Sequence, residues 1–376
     1  MTRAEPESPG RWGGGRGWGV AWRLLEECGH VPSTAERAER AERDRDGDRD
    51  GDADADADGK AGQATGYLSP AYTASLAEFG SPLALTGSGS WILRRTAAPG
   101  VADAMGPYPL FCCRDWTRLT ADLDDIAAEG APAFADLAPL TSLVVVTDPF
   151  ADQDPGALAA AFPDRVAPFK DHLVADLSRP LSSFVSAHHQ RYARRDHLAV
   201  ELCARPLDWL DEWCALYENL CGRHQISGIP ALSRAAFTRQ LAVPGLFAFR
   251  ASAGGATLGM ALWYRQGEVA YYHLAAYSDE GYRQRASFPL FWFTLEQLAA
   301  AGVGWASLGA GASAGGRAPS QGTDGLIRFK RGWSTGTRLT YLCGRIFRAD
   351  IYAALAQQRG FADSRYFPAY RQGELA

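Results

Sequence analysis

The sequence predicts a mixed α/β protein, an α+β mixed sheet with helices on both faces, and three observations carry that prediction. A helical pair, about Leu207–Arg223 and Ser233–Leu241, places Trp209, Trp213, Leu216, Tyr217 and Leu220 at helical spacing. The period then falls to two over Leu246–Arg250, Leu258–Arg265 and Val269–Ala276, the mark of three antiparallel strands. A long helical stretch and two further strands follow, an order that covers a sheet as it is built.

From Met1 to about Gly66 the chain is rich in Gly, Arg, Ala and Asp, with aspartates at every second position up to Asp58. Such a segment cannot bury enough apolar surface to offset its ordering entropy, so a disordered tail is expected, broken at most by a short helix over Trp18–Glu27. Order is expected from Tyr67, where Ser69-Pro70 reads as an N-cap and first-turn proline. Strands follow at Leu83–Leu85 and Trp91–Arg94, then an irregular stretch over Met105–Phe111, a helix over Trp116–Ala128, and strands at Leu143–Val146 and Phe169–Leu177.

The second half opens with a helix over about Pro180–His197 and a strand at Val200–Cys203. In the strand meander, Gln266-Gly267 reads as a tight hairpin turn. A helix over Arg283–Ala301, a strand over Val303–Leu308, a Gly-rich loop to Gly325, a strand over Arg338–Phe347 and a helix from Asp350 complete the reading. Both halves share a helix–strand–strand–helix–strand rhythm, which divides the chain into a tail (1–66) and two like units (67–179 and 180–376).

The 376 residues, 47% of them hydrophobic, are enough for sizeable cores, and a net charge of -5 excludes the global basic field of a dedicated nucleic-acid binder. The seven cysteines match neither a disulfide framework nor paired zinc ligands, so reduced thiols in a cytoplasmic protein are expected. No window approaches the roughly 18 apolar residues of a membrane span, and the N-terminal residues lack an apolar signal core.

The order of elements from Leu207 to Phe347 resembles the GNAT acyltransferase fold. More narrowly it is similar to the Fem-type and CelD-type branch, in which two GNAT-like units share one chain. The resemblance rests on Trp263-Tyr264, Tyr271-Tyr272-His273-Leu274-Ala275-Ala276-Tyr277-Ser278, Pro289-Leu290, Leu308-Gly309, and Gly325-Leu326-Ile327-Arg328-Phe329-Lys330-Arg331-Gly332-Trp333. It implies direct transfer of an acyl group from acyl-CoA to a primary amine of a small molecule or precursor. The alternatives are a tRNA-dependent aminoacyltransferase and a scaffold that only binds. One departure bears on the donor: Gly281-Tyr-Arg-Gln-Arg-Ala-Ser287 lacks the spaced glycines that cradle a pyrophosphate in ordinary GNAT enzymes. Arg283, Arg285 and the helix start at Ser287 are the candidate donor-phosphate ligands.

Acyl transfer to an amine requires a close, neutral amine, an oxyanion stabiliser and a proton path. Strict alternation along Ala270–Tyr277 puts Tyr271, His273 and Tyr277 on one face, so His273 is the candidate base and Tyr271 or Tyr277 the proton donor. The competing reading makes them core aromatics around a satisfied imidazole. The resemblance implies that Lys330 lies at the transfer site; otherwise it is a solvated lysine beside Arg328 and Arg331. Trp263, Tyr264, Phe329 and Trp333 are candidate pocket walls or plain core. Arg191, Arg194 and Arg195 would hold a phosphate or tRNA backbone, or form a charged solvent face.

Three weaker signals are set aside. The Asp54–Gly59 run opens like a calcium loop but has Thr65 in place of the final Glu. Gly309–Ala314 imitates a dinucleotide fingerprint without a following helix. His188, His189 and His197 lack metal-ligand spacing, and no metal is expected.

Overall fold

The computed structural model describes residues 64–128, 139–151, 154–194, 198–313 and 323–374. The expected tail with its aspartate run and short helix, Cys28, Arg195, His197 and most of the Gly-rich loop lie outside the described residues.

The strands are β1 (Ser81–Leu85), β2 (Ser90–Ala98), β3 (Val101–Met105), β4 (Leu140–Val146), β5 (Arg165–Asp176), β6 (Ala199–Leu202), β7 (Leu246–Ala253), β8 (Ala256–Gln266), β9 (Val269–Tyr277), β10 (Trp305–Ser313) and β11 (Gly336–Ile346). The helices are α1 (Pro70–Ser75), α2 (Trp116–Ala127), α3 (Pro155–Ala161), α4 (Leu181–Phe184), α5 (Ala187–Ala193), α6 (Leu210–His224), α7 (Arg234–Gln240), α8 (Asp279–Gln284), α9 (Ser287–Ala300), α10 (Thr323–Arg331) and α11 (Ala349–Gln358).

Among the described residues, eleven strands form one mixed sheet in the order β1-β2-β3-β4-β11-β5-β10-β9-β8-β7-β6. Its two parallel joints, β3 to β4 and β9 to β10, each follow an antiparallel meander. The last strand of the chain, β11, does not lie beside β10. It inserts between β4 and β5 and pairs antiparallel with both. In turn β5 pairs with β10, so the two halves share one continuous ladder.

The larger apolar core covers β7 to β10 and reaches back to Tyr67 and Tyr72; a smaller one lies under α2 and α3 around Phe111, Trp116 and Leu143. Local sequence explains most boundaries. Ser69 caps α1 ahead of Pro70, Asp115 caps α2, and Asp154 caps α3, each side chain accepting from backbone N–H groups of the first turn. At the hairpin turn Gly267 has a φ of 59°, as two-residue turns require.

Several expectations are corrected. The helix over Pro180–His197 is two helices, because Ser186 ends one run and caps the next. The helix over Arg283–Ala301 is likewise two: Ser278 caps α8, and Arg285 takes a left-handed conformation at φ 57° before α9 starts. Strand β3, which runs up to Met105 just before the stretch read as irregular, and α3 were not anticipated. Phe329 and Lys330 lie on a helix, α10, instead of a loop.

A chain ending at Thr335 would leave β4 and β5 with bare inner edges, which a sheet tolerates poorly. Such a chain is expected to lose cooperative unfolding in urea, with both halves affected. A single transition at the full-length midpoint would contradict the shared ladder.

Candidate active site

At the N-terminal parallel joint β3 and β4 stay closed. Gly106 N–H donates to the Val144 carbonyl at 2.8 Å and Phe111 N–H to that of Val146 at 2.7 Å, so the chain after β3 fills the seam. The C-terminal joint differs. β9 and β10 pair only over Val269–Tyr271 and Trp305–Ser307. Beyond that point β9 follows β8 up to the pair Gly259 and Tyr277, while β10 follows β5 up to Ser313 and Lys170. Two parallel strands thus diverge, leaving an opening between them.

Lys330 spans this opening. Its ammonium donates to the carbonyl of Ala310 on the diverging part of β10 at 3.2 Å, and lies 5.9 Å from the ring centroid of Tyr272 on the diverging part of β9. The residue is 1% exposed. Burial, with Lys170 adding like charge, pulls its pKa down to about 7. The same burial and the nearby Lys330 and Lys170 push His172, opposite Ala310 on β5, down to about 3, so it is neutral.

The expected single face of Tyr271, His273 and Tyr277 is not formed. Leu262 pairs with Leu274 but Trp263 pairs with Tyr272, which makes His273 the extra residue of a β-bulge. A bulge resets the alternation, so Tyr272 shares its side with Trp263 and with Phe291 of α9, at ring distances of 5.1 and 4.8 Å. Tyr271 lies on the other side, near Tyr67, and its hydroxyl donates to Asp148 Oδ2 at 2.7 Å. His273 is 1% exposed and its Nε2 is 3.1 Å from Gln240 Oε1 of α7. Both make core contacts away from Lys330.

Tyr277 does reach a cleft. With Gly281, Tyr282, Arg285, Ser287 and Phe288 it lines a cavity of about 290 Å³. Its buried hydroxyl has no hydrogen-bond partner among the described residues, and burial with the neighbouring phenols of Tyr272 and Tyr282 raises its pKa well above the usual value. Gly281 is required where α8 crosses β8, since a Cβ there would lie 1.9 Å from the Leu258 carbonyl oxygen. Of the candidate phosphate ligands, Arg285 and Ser287 line the cleft, while exposed Arg283 pairs with Glu280. The backbone offers little more. Arg285, Ala286 and Phe288 N–H groups donate to Tyr282, Gly281 and Arg285 carbonyls, and Pro289 has no N–H, so the joint between α8 and α9 forms no amide cradle.

None of Trp263, Tyr264, Phe329 and Trp333 lines that cleft. Trp263, Tyr264 and Trp333 are fully buried, Tyr264 among the tyrosines of the opposite side, and Phe329 packs on Phe288 and Phe291. Arg191, Arg194, Arg285, Arg328 and Arg331 are all exposed, and Tyr192 lies between Arg285 and Arg191, 4.2 and 5.2 Å from its ring centroid. Among the described residues none of these arginines has an acidic partner.

The sheet is thus mixed and splayed at one parallel joint, with a buried lysine across the splay and a cleft lined by Tyr277 and Arg285. Residues 184–331 match the acetyltransferase (GNAT) domain family. Among solved structures, that of FemX superposes with a TM-score of 0.55 at 13% identity, covering 76% of this chain and 92% of that one. The C-terminal domain (DUF2156) of a putative lysylphosphatidylglycerol synthetase from Agrobacterium fabrum gives 0.53 at 16% identity, covering 77% and 91%. No curated protein matches the sequence. Residues 184–331 therefore carry a GNAT-type acetyltransferase domain, and the described chain shares its fold with FemX.

Lys330 releases its proton near 7 in the fold and near 10.5 in the unfolded chain. Between those values the unfolded chain holds more protons, so this side chain's contribution to stability rises with pH across that window and is least favourable below 7. Lys330→Met is expected to raise Tm at about pH 6 and to flatten that rise, as thermal unfolding of both proteins would show.

Proposed function

We propose that the chain transfers an aminoacyl group from its ester on the 3′ end of an RNA to a primary amine, by direct attack at the opening between β9 and β10. The observation that carries the acyl-transfer reading is the Lys330 ammonium, held across the two diverging strands. In this scheme the amine nitrogen bonds to the acyl carbon, the C–O bond to the ribose breaks, and the amine proton passes to the leaving oxygen. Protonated Lys330 stabilises the oxyanion in a site that excludes water. Tyr272 and Tyr277 keep their protons, since burial raises both, and serve as neutral donors beside it.

Two observations support an RNA donor. In the α8–α9 joint the Arg285, Ala286 and Phe288 amides are occupied and Pro289, third in α9, has none, which leaves little backbone to cradle a coenzyme pyrophosphate. Arg285 lines the cleft, and exposed Arg191, Arg194, Arg328 and Arg331 lie on α5 and α10 or at their ends, elements that pack against Phe288 of the cleft, which supports a polyanionic partner. FemX and the lysylphosphatidylglycerol synthetase domain share this fold, and the latter's name speaks of a lysyl product. The second reading keeps acyl-CoA as donor and is favoured by Arg285 and Ser287 lining the cleft. In either case the acceptor is a small-molecule or precursor amine, and we infer a cytoplasmic setting from the unpaired thiols. Among the described residues no helix is long and apolar enough to cross a membrane.

Binding separates the donors. Charged tRNA is expected to bind with a log–log salt slope of roughly -3.5 to -4.5 if all five arginines meet phosphates, and labelled amino acid should pass from it to an amine acceptor. Saturable, salt-insensitive coenzyme A affinity without tRNA binding would overturn the RNA donor.

Lys330→Ala is expected to lower kcat by about 10²–10³-fold. In the parent protein kcat should fall as pH rises through about 7, where Lys330 loses its charge, and Lys330→Arg should remove that limb. A limb that persists in Lys330→Arg would assign the titration to another group.

A further inference from the structure

His189 takes no part in the chemistry above, yet it is the contact between α5 and the end of α10. Its Nε2 lies 3.0 Å from the Phe329 carbonyl oxygen and its Nδ1 2.6 Å from Ser186 Oγ. A carbonyl only accepts, so Nε2 carries the proton and Nδ1 accepts from the Ser186 hydroxyl. Ser186 also donates its own N–H to the Gly332 carbonyl at 2.9 Å. The start of α5 therefore holds the backbone on both sides of Lys330, at Phe329 and at Gly332.

The fit of the ring is tight. A Cβ on Gly332 would lie 2.1–2.5 Å from three imidazole atoms, and Gly332 is not among the positive-φ glycines, so the imidazole alone demands a glycine there. Phe288, Phe329 and Trp333 surround the ring at centroid distances of 5.1, 5.5 and 5.0 Å, leaving it 6% exposed. Burial lowers its pKa, which keeps the neutral, single-donor form at neutral pH.

An ammonium buried on one carbonyl would gain by swinging its stem out to water. Something must therefore fix the backbone from which Lys330 projects. We propose that His189 is the positioning residue for Lys330: wedged between Ser186 and the Phe329 carbonyl beneath Gly332, it holds the lysine across the opening between β9 and β10. The inference rests on the reading of Lys330 as the oxyanion-stabilising group.

The test uses the full chain with His189→Leu, His189→Gln, Gly332→Ala and the double variant His189→Leu/Gly332→Ala. Two readouts are taken: kcat and KM for acyl transfer, and the pH dependence of Lys330 modification by an amine-directed reagent, located by peptide mass spectrometry. His189→Leu is expected to lower kcat by about 10–100-fold with KM little changed, as a misplaced catalytic group does. The half-modification pH of Lys330 should move from about 7 toward 10.5 as the ammonium reaches water.

His189→Gln, which can keep an N–H toward the Phe329 carbonyl, should restore most of both. Gly332→Ala should reproduce the leucine variant by displacing the ring, and the double variant should be no worse than either single one. An unmoved Lys330 profile in both His189→Leu and Gly332→Ala, or additive losses, overturns the proposal. If Lys330→Ala keeps full activity, the catalytic reading fails instead, and the labelling profile still decides whether His189 places the lysine. Should the leucine variant not fold, the Gln and Gly332→Ala proteins carry the same comparison.

Discussion

The 12-residue strand β5 hydrogen-bonds β11 along one edge and β10 along the other, and the rest of the molecule depends on that double ladder. Each pairing satisfies backbone groups that would otherwise be buried and bare. Because β11 comes from the end of the chain and β4 and β5 from its first half, neither half completes a sheet alone. The ladder also sets the register that puts Ala310 opposite His172, and so fixes where the acceptor for the Lys330 ammonium stands.

The two parallel joints show how like arrangements come to differ in shape. After β3 the chain continues along β4, with Gly106 and Phe111 donating to Val144 and Val146 carbonyls, and the seam is closed. After β9 the chain leaves with Ser278 into α8, while β9 and β10 separate. The opening is occupied by a cation whose burial costs free energy, visible in its depressed pKa. The surroundings hold it there: α10 packs on β10, and the aromatic wall of Phe288, Phe291, Phe329 and Trp333 closes one side. On the proposed reading of Lys330, that placement suits electrostatic catalysis, since a charge held by its scaffold needs no reorganisation.

Much of this was legible in local sequence. The period-two runs and the cap at Ser69 are written in adjacent residues and the structure keeps them, while the hairpin turn read at Gln266-Gly267 falls one residue on, at Gly267-Glu268. Lys330 was legible too, through the motif around Phe329. The misreadings share a cause. Alternation assigned Tyr271, His273 and Tyr277 to one face because a bulge leaves no mark in composition; only the pairing of β8 with β9 shows the extra residue. The split between α8 and α9 depends on Arg285 adopting a conformation that an arginine seldom takes. His189 passed as a poor metal ligand because its partners, Phe329 and Gly332, lie far along the chain.

By itself the sequence determined the class of fold and most of the order of elements, and offered the candidate side chains, since periodicity, caps and turn residues act over a few positions. Only the tertiary structure decided which of those side chains meet. Strand pairing between distant segments brings Lys330 to Tyr272 and Ala310, seats His189 under Gly332, and leaves His273 in the core. Those contacts arise from register and packing across hundreds of residues, where no local preference reaches.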